Sequence, residues 1–165
     1  MKKNLSVAAF GFVFMLIVMR WQGAGLVTPI SLKGIVDLEF ATTNLRVQEL
    51  LLHWNMTSLK MNIWLDFLFI VSYVLFFSLA AESLAFKWAD AGLMRKLGLW
   101  LARLAYVAGV FDIAENLLML QTVAGNHTDA SLHLTYYCAT LKFGLIACII
   151  LYVIISLPKI FRKNS

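Results

Sequence analysis

Four long runs of apolar residues dominate the pattern of hydrophobic and polar positions along the chain. Between Lys3 and Lys33 the only charged residue is Arg20, and between Lys60 and Glu82 the only one is Asp66. From Leu104 to Thr128 the charged residues are Asp112 and Glu115, and from Ala130 to Pro158 the only one is Lys142. Each run supplies the ~20 mainly apolar residues that a membrane-spanning helix needs. The pattern therefore predicts four transmembrane helices, over residues 5–27, 62–83, 99–121 and 132–157.

These runs are continuously apolar, as in residues 67–81, and lack the alternation of a membrane β-strand. The composition agrees, because 61% of residues are hydrophobic, 14% are charged and the mean hydropathy is +0.80, which excludes an ordinary soluble domain. With 2 Pro and 9 Gly, no linker separates a second domain. We predict an all-α fold, a single polytopic four-helix bundle over residues 1–165, with an external amphipathic segment, residues 28–61, between the first two spans.

The net charge of +5 reflects basic residues that are spread along the chain without a patch interleaved with aromatic residues, so we exclude nucleic acid as a partner. Instead, basic residues flank the span ends that an even number of crossings places together, and this bias marks the cytoplasmic side. Both termini are therefore predicted to be cytoplasmic. The residues concerned are Lys2, Lys3, Lys87, Arg95, Lys96, Lys159, Arg162 and Lys163.

The external segment contains two patterns. Residues 36–40 alternate between apolar and acidic residues, which predicts a short extended piece. Residues 42–54 place apolar residues at helical spacing, which predicts an amphipathic helix capped by Thr42 or Thr43. This helix is expected to lie on the outer membrane surface or to close over the bundle. Trp54 is interpreted as an anchor at the membrane interface.

The five charged residues within the apolar runs are the most informative feature, because ionisable groups are costly in lipid. With a rise of 1.5 Å per residue, they lie roughly 6–15 Å below the outer ends of their helices, in one layer of the outer half of the membrane. Arg20 and Lys142 are positive, while Asp66, Asp112 and Glu115 are negative. One acid is left over after pairing, which admits a proton or a bound cation.

Helical spacing predicts which side chains share a face. Asp112, Glu115 and Asn116 occupy neighbouring positions on the third span. A stripe of small residues precedes them on the same face and suits close helix approach, so the acids are expected to point into the bundle. This stripe consists of Gly98, Ala102, Ala105 and Gly109.

The leading hypothesis is an outer-half polar pocket that binds a cation or the head group of an amphiphile. The acceptors for the ligand would be Asp66, Asp112, Glu115 and Asn116. Charge would be balanced by Arg20 and Lys142, and hydrogen bonds would be donated by Tyr73 and Tyr137. Asp66, Asp112 and Glu115 are also the candidate ligands of a divalent cation, or groups for acid–base chemistry. Whether the protein is an enzyme stays open.

Two other functions explain the same charges. In an accessory subunit of a larger membrane complex, the charges would pair within the bundle or across to a partner protein. In proton- or cation-coupled transport, the unpaired acid would titrate, and four short helices would require an oligomer. Pairing that only fixes helix packing is a third explanation.

The sequence contains no motif for a haem, nucleotide or zinc cofactor. Only His133 lies inside a predicted span, whereas a diheme carrier needs paired axial histidines. Neither a phosphate-binding Walker loop nor an HExxH zinc motif occurs.

Several short elements resemble those of small, uncharacterised bacterial four-helix integral membrane proteins. They are Val36-Asp37-Leu38-Glu39-Phe40, Trp54, Leu65-Asp66-Phe67-Leu68-Phe69 with Tyr73, and Asp112-Ile113-Ala114-Glu115-Asn116. The resemblance implies the four-span topology and a bacterial cytoplasmic membrane, and it implies no activity.

Overall fold

The computed structural model describes residues 2–88 and 92–161, and the fold they form is all-helical, without a β-strand in these two ranges. In chain order the helices are α1 (Lys2–Gln22), α2 (Val36–Glu39), α3 (Asn44–His53), α4 (Met56–Ala85), α5 (Leu93–Val123), α6 (Asp129–Ser156) and α7 (Pro158–Phe161), with a 3-10 turn, Gly23–Leu26, after α1. The helices α1 with its 3-10 turn, α4, α5 and α6 are long and apolar enough to cross a membrane. Two of the basic residues used to predict orientation, Arg162 and Lys163, lie outside the described residues.

The predicted spans are confirmed as helices, and all four begin earlier than predicted, α1 and α6 by three residues and α4 and α5 by six. The side chains of Asn55 and Thr128 accept backbone hydrogen bonds from Ser58 and Ser131 at the starts of α4 and α6. These caps satisfy amide groups that the first helical turn leaves without a partner. The apolar pattern alone does not detect such polar first turns.

The core is formed by α4, α5 and α6, and α1 packs mainly against α4. Close approach depends on two glycines of the predicted small-residue stripe. A Cβ at Gly109 would lie 2.7 Å from Val74 Cγ2 of α4, and one at Gly98 would lie 2.8 Å from Ala85 Cβ. The stripe is buried, as predicted, so α5 directs its acidic face into the bundle.

The external segment differs from the prediction at residues 36–40, because Val36–Glu39 form α2 rather than an extended piece. Two alternating acids cannot distinguish a strand from one helical turn in so short a run. Before it, the Asp37 carboxylate accepts hydrogen bonds from Ser31 Oγ and the Lys33 amide, both at 3.0 Å. These bonds hold the loop that leads into α2.

The predicted amphipathic helix is confirmed as α3, and its Thr43 side chain accepts a hydrogen bond from the Arg46 amide at 3.3 Å. Its apolar face closes over the bundle, where Val47 and Leu50 are fully buried. They belong to a second apolar core that includes Leu26, Leu38, Ile63, Met119 and Leu132. The external segment is therefore packed on the ends of α4, α5 and α6.

Trp54 belongs to this second core, so its interpretation as an interface anchor is wrong. The side chain is 5% exposed, and its indole Nε1 donates a hydrogen bond of 2.8 Å to the Leu26 carbonyl oxygen. A buried indole N–H requires such an acceptor. The bond links the end of α3 to the turn that follows α1.

Candidate functional site

The candidate site is a buried group of charged side chains around the ammonium of Lys142 on α6. Lys142 Nζ donates to Asp112 Oδ1 at 2.8 Å and to Glu115 Oε1 at 2.7 Å, both on α5. Lys142 Nζ also lies 3.5 Å from Glu39 Oε2 of α2. We call Glu39, Asp112, Glu115 and Lys142 the acidic cluster. All four residues are at most 5% exposed.

Helix geometry explains the contribution of α5. Asp112 and Glu115 are separated by three residues, so their side chains are neighbours on one face and can both reach Lys142. The ammonium has three donors and no acceptor, which suits it to contact several carboxylates. The sequence analysis left open which charges pair, and the structure pairs Lys142 with both acids of α5.

Glu39 is the member of the cluster that the sequence analysis missed. Its neighbours Leu38 and Ala41 are almost fully buried, and the helical turn of α2 places Glu39 beside them. Burial raises the pKa of Glu39 above its ordinary value, whereas the nearby Lys142 ammonium opposes that rise. The sequence does contain a signal, because Glu39 is an acid inside an apolar stretch. The prediction of an extended piece over residues 36–40 concealed it.

Two further hydrogen bonds connect α4 to this site. The Tyr73 hydroxyl donates to Asp112 Oδ2 at 2.9 Å, and Asn116 Nδ2 donates to Asp66 Oδ2 at 2.7 Å. Asp112 thus accepts hydrogen bonds from side chains of both α4 and α6. Asp66 is held beside the cluster by its hydrogen bond from Asn116 of α5. Six of the predicted site residues are brought together: Asp66, Tyr73, Asp112, Glu115, Asn116 and Lys142.

Arg20 and Tyr137, the other two predicted site residues, are placed elsewhere. Arg20 is exposed at the end of α1, and α1 packs on the outer side of α4 rather than in the core. Tyr137 is 59% exposed, and its ring contacts that of Tyr136 at a centroid distance of 5.6 Å. Depth in the membrane was predicted for Arg20, but the rotation of a helix about its axis decides which neighbour a side chain faces.

The cluster contains more acids than cations. With Lys142 protonated and the carboxyl groups of Glu39, Asp112 and Glu115 ionised, its formal charge is 1 − 3 = −2. Uncompensated charge is strongly disfavoured in a buried, low-dielectric environment. Among the described residues, Glu115 Oε2 and Asn116 Oδ1 are buried without a hydrogen-bond partner, and Glu39 Oε2 makes no hydrogen bond beyond its 3.5 Å ion pair with Lys142. The cluster therefore has both the charge and the free acceptors to take up positive charge.

A divalent metal site gains no support from this geometry. Within residues 2–88 and 92–161, no group of three or more His, Cys, Asp or Glu side chains is arranged to hold a metal ion. The Lys142 ammonium occupies the space between the Asp112 and Glu115 carboxylates. The chemistry that these groups do offer is binding and exchange of protons among closely spaced carboxyl groups.

Comparison with known proteins adds no functional information. No protein-family model matches the chain, and no curated protein or solved structure matches it significantly.

Proposed function

We propose that this chain is an integral membrane protein whose acidic cluster binds a cation, and that this cation is a proton. The observation that carries the proposal is the contact of three carboxyl groups with one ammonium at a buried position. Packing alone does not require this arrangement, because hydrogen bonds within membranes contribute only ~0.6 kcal/mol on average. Ionisable residues inside membranes are more often part of binding sites and proton relays.

The position of Glu39 supports exchange of this proton with the exterior. Glu39 lies on α2, in the segment between the first two spans, whereas its partner Lys142 lies within α6. A proton bound by Glu39 can therefore pass between the external segment and the carboxyl groups of α5. Proton-coupled transport is the second candidate function, and it rests on this same link.

The proposed setting is a bacterial cytoplasmic membrane, with both termini in the cytoplasm and the acidic cluster in the outer half. The distribution of basic residues supports this orientation. Fusion of alkaline phosphatase or green fluorescent protein to the chain after residue 55 and after residue 88 tests it. We expect phosphatase activity only at the first position and fluorescence only at the second.

Infrared difference spectroscopy of the purified protein in lipid, as a function of pH, tests proton binding. We expect a carbonyl-stretching band from protonated carboxyl groups at neutral pH. The band should weaken in Glu39→Gln and Glu115→Gln, and it should persist in the control Glu49→Gln, which replaces an exposed carboxyl of α3. A wild-type spectrum without the band at neutral pH, or a band that all three variants retain, would contradict the proposal.

A second measurement separates a proton from a metal cation. Thermal unfolding is recorded at constant pH and ionic strength with Na⁺, K⁺ or Mg²⁺ as the salt. If the site binds a proton, the unfolding temperature depends on pH and not on which of these cations is present. If one cation raises the unfolding temperature and Glu115→Gln abolishes this rise, the site binds that cation rather than a proton.

A further inference from the structure

A cavity of about 440 Å³ lies between the end of α1, the loop that follows it and the outer side of α4. We call it the α1 cavity. It is lined by basic, amide and apolar side chains, chiefly Leu16, Met19, Arg20, Lys33, Asn62 and Phe69. Its volume falls in the range of roughly 300–1,000 Å³ that is typical of small-molecule sites.

The charge of this cavity is opposite to that of the acidic cluster. Arg20 and Lys33 both line it, and no acidic side chain does. Both basic side chains are exposed, and neither has a hydrogen bond or ion pair in the part of the chain that the structure describes. A guanidinium and an ammonium on one cavity form a pair of donors that suits a phosphate group.

The apolar wall continues from Arg20 towards the middle of α1. Leu16, Met19, Arg20 and Gly23 are spaced i, i+3, i+4 and i+7, so they lie along one face, with Leu16 about one turn deeper than Arg20. None of the residues in the apolar window of α1 is buried, which leaves this face open to lipid. A ligand that fits has a charged group at Arg20 and a hydrocarbon chain along Leu16, Met19 and Phe69.

The backbone of the cavity is shaped by two glycines. Gly34 has φ +62°, a conformation that side chains disfavour, and a Cβ there would lie 3.4 Å from Val27 Cγ2. A Cβ at Gly23 would lie 3.2 Å from Asn62 Nδ2, so glycine lets α4 approach the turn closely. The Asn62 amide nitrogen donates to Gln22 Oε1 at 2.6 Å.

This hydrogen bond leaves the other end of the Asn62 amide unused. Asn62 is 2% exposed, and its Oδ1 atom is a buried acceptor without a partner among the described residues. A buried acceptor without a donor is unfavourable, so a ligand donor that reaches Oδ1 from the cavity would be stabilising. A head group with hydroxyl donors beside its phosphate would satisfy both Asn62 and the two cations.

We propose that the α1 cavity binds an anionic phospholipid with a hydroxyl-bearing head group, of the phosphatidylglycerol type. The phosphate contacts Arg20 and Lys33, a head-group hydroxyl donates to Asn62, and an acyl chain lies along the apolar face of α1. This site uses none of the residues of the acidic cluster, so it goes beyond the proposed proton binding and rests only on the proposed membrane location.

Native mass spectrometry of the full chain in detergent, with added phosphatidylglycerol or phosphatidylcholine, tests the proposal. We expect phosphatidylglycerol to bind more tightly, and its affinity to fall about 30-fold in the double variant Arg20→Gln/Lys33→Gln, equivalent to about 1 kcal/mol for each cation. Lys60→Gln is the matched control, because Lys60 is an exposed cation of α4 outside the cavity. It should retain wild-type affinity.

Further arms of the experiment distinguish the ligand classes. Phosphatidic acid, which lacks the head-group hydroxyls, should bind less tightly than phosphatidylglycerol to the wild-type protein. Soluble glycerol phosphate and inorganic phosphate should compete only weakly, because they lack the acyl chain. The double variant should unfold at the wild-type temperature, since both side chains are exposed without partners.

Three results would overturn the proposal. The first is equal binding of phosphatidylglycerol and phosphatidylcholine. The second is an affinity that falls no further in the double variant than in Lys60→Gln. The third is competition by free phosphate as strong as that by the lipid, which would make the cavity a site for a soluble anion.

Discussion

Lys142 Nζ lies 2.8 Å from Asp112 Oδ1, and this contact joins α6 to α5 at a buried position. The other oxygen of the same carboxylate accepts a hydrogen bond from Tyr73 of α4. Asp112 therefore links all three helices of the core. Its two oxygens have different kinds of partner, an ammonium and a hydroxyl, so the charge of Asp112 is compensated on one side and hydrogen-bonded on the other.

Replacement of Lys142 should strongly destabilise the fold. In Lys142→Met the three carboxyl groups lose the only cation that contacts them within residues 2–88 and 92–161, and removing one partner of a buried ion pair costs about 3–5 kcal/mol. Reversible unfolding in mixed micelles measures this loss. The control Lys60→Met, at an exposed cation, should change stability by less than about 0.5 kcal/mol. Equal stability of Lys142→Met and wild type would show that the cluster does not depend on the ammonium.

A second substitution identifies the cause of that loss. The double variant Lys142→Met/Asp112→Asn removes one carboxylate together with the ammonium, so it should be more stable than Lys142→Met alone. Electrostatic imbalance predicts this partial recovery, because neighbouring charges are energetically coupled. Purely additive losses would instead attribute the effect to packing.

The Tyr73 hydrogen bond should make a modest contribution. We expect Tyr73→Phe to reduce the free energy of unfolding by about 0.6 kcal/mol, and by at most about 1.7 kcal/mol, the range measured for hydrogen bonds within membranes. Tyr137→Phe is the matched control, because that ring is 59% exposed and outside the cluster. A greater loss for Tyr137→Phe than for Tyr73→Phe would be inconsistent with the described contacts.

Glu39 should make stability depend on pH. Burial raises the pKa of Glu39 above its ordinary value of 4.5, against the opposing effect of Lys142. A carboxyl with a raised folded-state pKa holds its proton more tightly when folded, so its stabilising contribution is complete below pH 4.5 and is lost as pH rises through the folded-state pKa. We therefore expect wild type to lose stability relative to Glu39→Gln as pH rises above 4.5.

Thermal unfolding of both proteins from about pH 4 to about pH 8 measures this difference. Lys142, Asp112 and Glu115 face Glu39, so the difference between wild type and variant is the relevant quantity. Glu49→Gln, at an exposed carboxyl, is the control. A wild-type advantage that grows with pH would mean that attraction to Lys142 outweighs the burial of Glu39.

Close helix approach at Gly98 should be sensitive to one added methyl group. A Cβ in Gly98→Ala would overlap the Tyr152 hydroxyl and lie 2.8 Å from Ala85 Cβ, so we expect a loss of about 1–3 kcal/mol. Gly144→Ala is the control, because nothing lies within 4 Å of its Cβ position on α6. That control should be neutral or stabilise by up to about 1 kcal/mol, since alanine favours the helix. Unfolding in micelles measures both variants.

The sequence by itself determined the helices and the face of α5 that is buried. Apolar runs and a 3.6-residue period are local properties, so they located the four long apolar helices, α3 and the small-residue stripe that leads to Asp112. They also indicated that Asp66, Asp112, Glu115 and Lys142 share one layer, because depth depends only on distance along a helix. The sequence could not decide residues 36–40, where one helical turn and a short strand have the same pattern.

Only the tertiary structure decided which charges meet. The contacts of Asp112 with Tyr73 and Lys142 join residues 39 and 30 positions apart, so they depend on how α4, α5 and α6 pack and rotate. Arg20 lies near the end of α1, outside the core, whereas Glu39 reaches the cluster because α2 packs against α5 and α6. Depth in the membrane is a local property of each helix, but contact also requires the helix order and rotation that side-chain packing across the whole chain selects.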